Sequence, residues 1–238
     1  MTAAGWVGAT VITMAGAALQ GSVGFGYGVF AVPFLLLIEP AFVPGPMLAA
    51  AFLLTLALTR RERRGVRVDD LKWSLGGRVL GIVAALWVLA TVPPEHLTVL
   101  MGALILVAVA LSASGLHIAP APTALVGAGA LSGFMSTTVS SGGPAIALLY
   151  QKESGGRVRG TLSAFFTIGT AMSIAGLYLI HRFGAPELIL TGALLPGTTA
   201  GYFLSRRIAS ALDRGYMRAA VLVLSAVAGA IVVVKDLL

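Results

Sequence analysis

Six apolar runs, at about 42–59, 73–92, 97–113, 161–180, 188–204 and 217–234, are each long enough to approach the roughly 30 Å hydrocarbon core of a bilayer. The charges they contain are Arg78 and, at the edge of the last run, Arg218. With 58% hydrophobic and 11% charged residues, the chain has too little polar surface for a soluble domain and is expected to be an all-α integral membrane protein. Its formal charge of +7 does not indicate a nucleic-acid partner, because the basic residues sit in short loops between apolar runs rather than on one water-facing surface. That placement is the topogenic pattern of a cytoplasmic-membrane protein. Disulfides and thiolate chemistry are excluded, since the chain has no cysteine. The N-terminal apolar stretch lacks a positively charged leader region and is expected to be retained as structure.

Two further apolar regions, 5–38 and 123–150, are interrupted by Gly, Ser and Thr and contain a proline after the break. The interruptions are GSVGFGYGVFAVP, Gly21 to Pro33, and SGFMSTTVSSGGP, Ser132 to Pro144; each predicts helix, unwound segment, helix. Pro33 and Pro144 are 111 residues apart, and the same shift brings 42–59 near 161–180 and 73–92 beside 184–203. The pattern predicts a duplication within one membrane domain, 1–115 and 116–238, each repeat being one broken element followed by three spans. Such internal duplication is typical of secondary transporters.

Basic residues choose between two topologies. If each broken element crossed the membrane once, Lys and Arg would divide almost evenly between the two sides. If each is a re-entrant hairpin, Arg60, Arg61, Arg63, Arg64, Arg67, Lys72, Lys152, Arg157, Arg159, Arg206, Arg207, Arg214 and Arg218 all lie inside, against Arg182 and Lys235 outside. The positive-inside rule selects the hairpins. Both termini are then outside, one hairpin enters from each face, and the two repeats are inverted relative to each other, with their broken helices meeting near the midplane.

Unwound backbone at membrane depth is tolerated only where it is buried in protein or lines a wet cavity. A half-helix that begins there offers free N–H groups and a dipole to an anion, and glycine allows close approach. Pro33 and Pro144 suit the first turn of such half-helices. In the first element, Gly24, Gly26 and Gly28 carry the backbone, with Gln20, Ser22 and Tyr27 as side-chain donors. In the second, Gly142 and Gly143 stand beside Ser136, Thr137, Thr138, Ser140 and Ser141. Facing each other, they predict a donor-rich pocket for an oxyanion.

GSVGFGYGVFAVPFLL, followed half a chain later by SGFMSTTVSSGGPAIALLY and then by Arg159 opening the next helix, resembles the TauE/SafE family of sulfite exporters over nearly the whole sequence. The resemblance implies transport, most often efflux, of a small sulfur-containing anion such as sulfite or an organosulfonate, and it marks Arg159 as a position where the family also has a basic residue. The hydroxyl-rich STTVSS departs from the more glycine-rich and apolar stretch equally typical of the family, which leaves the substrate open.

Each of these residues also has a plainer use. Glycines let membrane helices pack closely, Ser and Thr bond their own helix backbone, Tyr27 can belong to the packed core, and Arg159 can be a surface charge at a helix start. Arg78 follows Lys72 by about 9 Å of helical rise and is expected to snorkel to the inner surface. His96, His117 and His181 fall in loops far apart, so no metal site or cofactor is predicted, and a serine hydrolase would need a base inside the membrane. No phosphate-binding loop for ATP is present. No Asp or Glu lies at the centre of a span, which favours uniport driven by the membrane potential over proton coupling. The alternatives to an exporter are an anion channel and an uptake carrier for a related oxyanion. The expected partners are the small anion and the lipid bilayer, with a second copy of the chain as a candidate.

Overall fold

The computed structural model describes residues 3–116, 118–150, 155–212, 223–231 and 234. Lys152, Arg214, Arg218, Lys235, His117 and the start of the run at 217–234 therefore lie outside the described residues. Among those described, all regular structure is helical. The elements are α1 (Ala3–Val23), α2 (Tyr27–Ile38), α3 (Gly45–Glu62), α4 (Val68–Thr91), α5 (Pro94–Ala113), α6 (Pro122–Val139), α7 (Gly143–Ala147), α8 (Gly156–Leu179), α9 (Ala185–Leu212) and α10 (223–231). Five are long and apolar enough to cross a membrane: α1, α4, α5 from His96, α8, and α9 as far as Arg207. Their outward faces carry exposed Val79, Leu80, Val83 and Trp87 on α4, and Leu188, Ile189 and Phe203 on α9, surface that only lipid would solvate well. The chain is a multi-pass membrane protein.

The set of long helices differs from the expected one in two ways. The run at 42–59 begins helically only at Gly45, and α3 ends on Arg60, Arg61 and Glu62, so it is a shorter apolar element than predicted. Conversely, α1, expected only as half of a broken element, is a continuous 21-residue helix and itself a candidate span; the chain unwinds after Val23, within the expected interruption.

Close approaches at glycine fix the relative directions. Gly8 lies against Ile38 and Gly16 against Tyr27 and Ala31, so α2 folds back antiparallel on α1. The second broken element does the same: the Ile118 N–H donates to the Leu148 carbonyl, bringing the chain after α7 back to where α6 begins. One end of the bundle gathers Pro44, Gly45, Phe183 and Glu187. The other gathers Arg61, Glu62, Gly65, Gly156, Arg159 and Ser205. The first hairpin turns near the second, basic end, where Arg61 donates to the Gly21 carbonyl at 2.6 Å. The second turns near the first end, where the Ser140 hydroxyl donates to the Pro44 carbonyl at 2.9 Å.

Helix pairs from opposite halves of the chain pack most closely. Gly197 meets Thr10 and Thr13, Gly201 meets Met14 and Ala17, and Ser205 meets Gly21, so α9 runs parallel to α1. Likewise Gly77 meets Val126 and Gly81 meets Ala130, so α4 runs parallel to α6. In both pairs a glycine at every fourth position removes the side chain that would hold the backbones apart. Helices α3 and α8 pack on each other between these pairs.

Candidate functional site

The site is built around the crossing of the two breaks. Gln20, near the end of α1, accepts the N–H of Tyr27 on its side-chain oxygen at 3.1 Å, capping the start of α2 after an unwound turn. That turn requires Gly24 at φ 103° and Gly26 at φ 118°, values at which a side chain is strained. The second break ends α6 with Ser140 in the left-handed region at φ 54°, its N–H bonded to the Ser136 carbonyl at 2.8 Å. Gly28 then lies directly on the Ser140 carbonyl, and Gly143 packs on Phe25.

Between them is a narrow cavity of about 30 Å³, room for one or two waters, so a larger anion requires the walls to part. From the first break it is lined by Gln20, Gly26, Tyr27, Gly28 and Val29, and from the second by Ser136, Ser140, Gly142 and Gly143. The middle of α3 contributes Leu48, Ala51 and Thr55, and the middle of α8 contributes Phe166 and Thr170. Among the described residues, no carboxylate lines it. The amides of Gly28 and Val29, in the first turn of α2, are among those a helix leaves without an internal acceptor.

Of the residues singled out from the sequence, Gln20, Gly26, Tyr27, Gly28, Ser136, Ser140, Gly142 and Gly143 border this cavity. The rest are used elsewhere. Ser22 donates to the Ala18 carbonyl and Thr138 to the Phe134 carbonyl, both within their own helices. Thr137 pairs with Ser173 on α8 at 2.8 Å. Ser141 is buried with its hydroxyl unpaired. Gly24 sits against Arg159, and Arg159 bonds Glu62 at 3.3 Å, in the basic cluster rather than in the cavity wall. The Tyr27 hydroxyl faces Thr198 on α9 at 2.6 Å. Pro144 opens α7 as expected, whereas Pro33 is inside α2, half a helix beyond its first turn. Proline there leaves one carbonyl without its usual donor, a break that buried surroundings tolerate.

Arg78 departs furthest from expectation. It does not snorkel: it is 0% exposed, donating to Ser136 at 3.0 Å and to Ser132 at 3.4 Å on α6, with its guanidinium 4.6 Å from the Phe165 ring centre. Gly169 makes the room, since any side chain there would overlap the guanidinium. A sequence signal for this was available: Gly77 and Gly81 flank Arg78 on α4, and a helix face of glycines packs against protein rather than lipid.

At the basic end, Arg60, Arg61, Arg63, Arg64 and Arg157 surround an open basin of about 700 Å³. At its edge Arg61 holds Glu62 at 3.2 Å, Ser205 at 3.2 Å and the Gly21 carbonyl, while Glu62 also takes Arg159. A positive funnel of this kind concentrates anions.

The model of the Sulfite exporter TauE/SafE family matches residues 9–232, a span that includes both broken elements and the helices around them. The chain belongs to the sulfite exporter TauE/SafE family. No curated protein and no solved structure matches it. As a TauE/SafE protein it is a transporter of the sulfur-anion exporter type, and the cavity lies within the matched region.

Proposed function

We propose that this TauE/SafE protein exports a small sulfur oxyanion, sulfite or a short organosulfonate, across the cytoplasmic membrane, binding it where the two broken elements cross. The observation that carries the reading is the cavity itself, midway along α3 and α8, bordered by glycine backbone from both breaks, by Ser136 and Ser140 of the second and, among the described residues, by no carboxylate. Several neutral N–H and O–H donors hold a compact anion without making its release slow. A metal cation would need oxygen anions the wall lacks.

The architecture we propose is a pair of inverted repeats, each a hairpin followed by three spans, with the basic end in the cytoplasm and both termini outside. Its support is the reciprocal packing of α1 on α9 and of α6 on α4, and the opposite ends at which the hairpins turn. With the cytoplasm negative, an anion moving outward gains about 2.3 kcal/mol per charge per 100 mV, which drives export without a proton. The proposed substrate site comprises Gln20, Gly26, Tyr27, Gly28, Ser136, Ser140, Gly142 and Gly143. A thermal-shift screen of purified protein against sulfite, sulfoacetate, taurine, sulfate, phosphate and chloride tests the reading. Stabilisation by sulfite or a sulfonate above the other anions supports it; indifference to every sulfur anion overturns it.

A further inference from the structure

Beyond the donors that border the cavity lies a charge that no described residue neutralises. Arg78 is fully buried, among the described residues no carboxylate pairs with it, and its Nε has no hydrogen-bond partner. Its partners are two neutral hydroxyls and the faces of Phe165 and Phe166. The nearby acids are engaged at the basic end, Asp70 with Arg67 and Glu62 with Arg61 and Arg159. A buried guanidinium without a counter-charge is strongly destabilising, so within a membrane it marks a place where an anion completes the site.

Two of its neighbours form the cavity wall. Phe166 and Ser136 both border the cavity, and the Ser136 oxygen accepts from Arg78 Nη2 at 3.0 Å. Arginine cannot accept a hydrogen bond, so the Ser136 proton points away from the guanidinium. No described residue accepts that proton, and Ser136 borders the cavity, so it is available to a ligand there. A hydroxyl whose oxygen is already bonded to a cation is a stronger donor than a free one, because each bond in such a chain polarises the next. Ser141, just past the end of α6 on the same break, is buried with its own hydroxyl unpaired.

We propose that Arg78 is the positioning and charge-compensating residue of the anion site: it acts through Ser136, and the transported anion supplies the negative charge that the buried guanidinium lacks. The inference rests on the cavity being the substrate site. Its consequence is selection by charge, favouring sulfite and alkylsulfonate anions over a zwitterion such as taurine.

The test compares Arg78→Met, Arg78→Lys and Ser136→Ala with the parent protein in proteoliposome flux of sulfite, ethanesulfonate and taurine, alongside melting temperature with and without anion. Arg78→Met is expected to lower kcat/KM for both anions about a hundredfold, as loss of one member of a buried charge pair does. Arg78→Lys keeps the charge without the fork and is expected to retain kcat with KM raised about tenfold. Without anion, Arg78→Met should melt no lower than the parent, because an unpaired charge has been removed, and anions should no longer raise its melting temperature. Unchanged anion flux in Arg78→Met overturns the proposal. So does an Arg78→Met that melts lower with and without anion and loses flux only in proportion to the folded protein recovered. If the parent carries phosphate or chloride but no sulfur anion, and that flux collapses in Arg78→Met, the charge role stands and the sulfur substrate falls.

Discussion

Gly28→Ala probes the contact on which the account depends. A methyl at position 28 would overlap the Ser140 carbonyl oxygen and come within 2.9 Å of the Ser140 carbonyl carbon and 3.0 Å of Ser141 Cα. All three are backbone atoms, so no rotamer change relieves the clash. Restoring carbon contacts of about 3.5–4.0 Å requires the two breaks to separate by at least about half an ångström. Overpacking of this kind costs about 1–3 kcal/mol, and at 1.4 kcal/mol per factor of ten that is a change of about 5- to 150-fold in whichever step needs the breaks in register. Gly143→Ala should be milder, since its methyl would meet Phe25 Cβ at 3.2 Å, a contact relieved by a shift of a few tenths of an ångström. Gly127→Ala is the control, with open space around the new methyl. The assay is sulfite flux per reconstituted protein, with size-exclusion monodispersity and melting temperature reporting the fold. The order of loss expected is Gly28→Ala, then Gly143→Ala, with Gly127→Ala at parent level. A monodisperse Gly28→Ala that carries sulfite at the parent rate would refute the idea that substrate passes between the breaks.

Other consequences can be checked separately. Tyr27→Phe removes the hydroxyl that bonds Thr198 and keeps the ring and backbone at the cavity, so stability should fall by about 1 kcal/mol while the KM for sulfite stays at the parent value in flux assays. Gly81→Val and Gly201→Val insert side chains against the Ala130 and Met14 carbonyls and should each lower the melting temperature or prevent folding, whereas Gly76→Ala, with nothing within 4 Å, should leave it unchanged. In intact cells, Ala41→Cys should be labelled by an impermeant maleimide and Arg64→Cys should not; ready labelling at Arg64→Cys would invert the proposed topology.

The long apolar helices were legible in the sequence because lipid leaves hydropathy as the dominant constraint on each span. The breaks were legible because runs such as GSVGFGYG and SSGGP cannot continue a helix cheaply at membrane depth. What could not be read were features decided by partners distant in the chain. Snorkelling of Arg78 is allowed by helical rise alone, and only the docking of α4 on α6 and the space at Gly169 turn the side chain inward. The STTVSS hydroxyls looked alike in sequence, yet Ser136 holds Arg78, Thr137 reaches α8, Thr138 bonds its own helix and Ser140 reaches the start of α3. Arg159 was attractive as an anion ligand by position; the approach of α3 to α8 brings Glu62 beside it, at 3.3 Å, among the basic residues of that end.

The most direct test of the central claim is sulfite flux in proteoliposomes containing the purified protein, with an imposed membrane potential and excess unlabelled sulfite on the far side. The account predicts saturable flux that moves sulfite away from the negative side, shows counterflow, and falls when a short sulfonate competes. Flux that rises linearly with concentration and appears as unitary currents would mean a channel, and no sulfite flux at any potential would contradict the assignment.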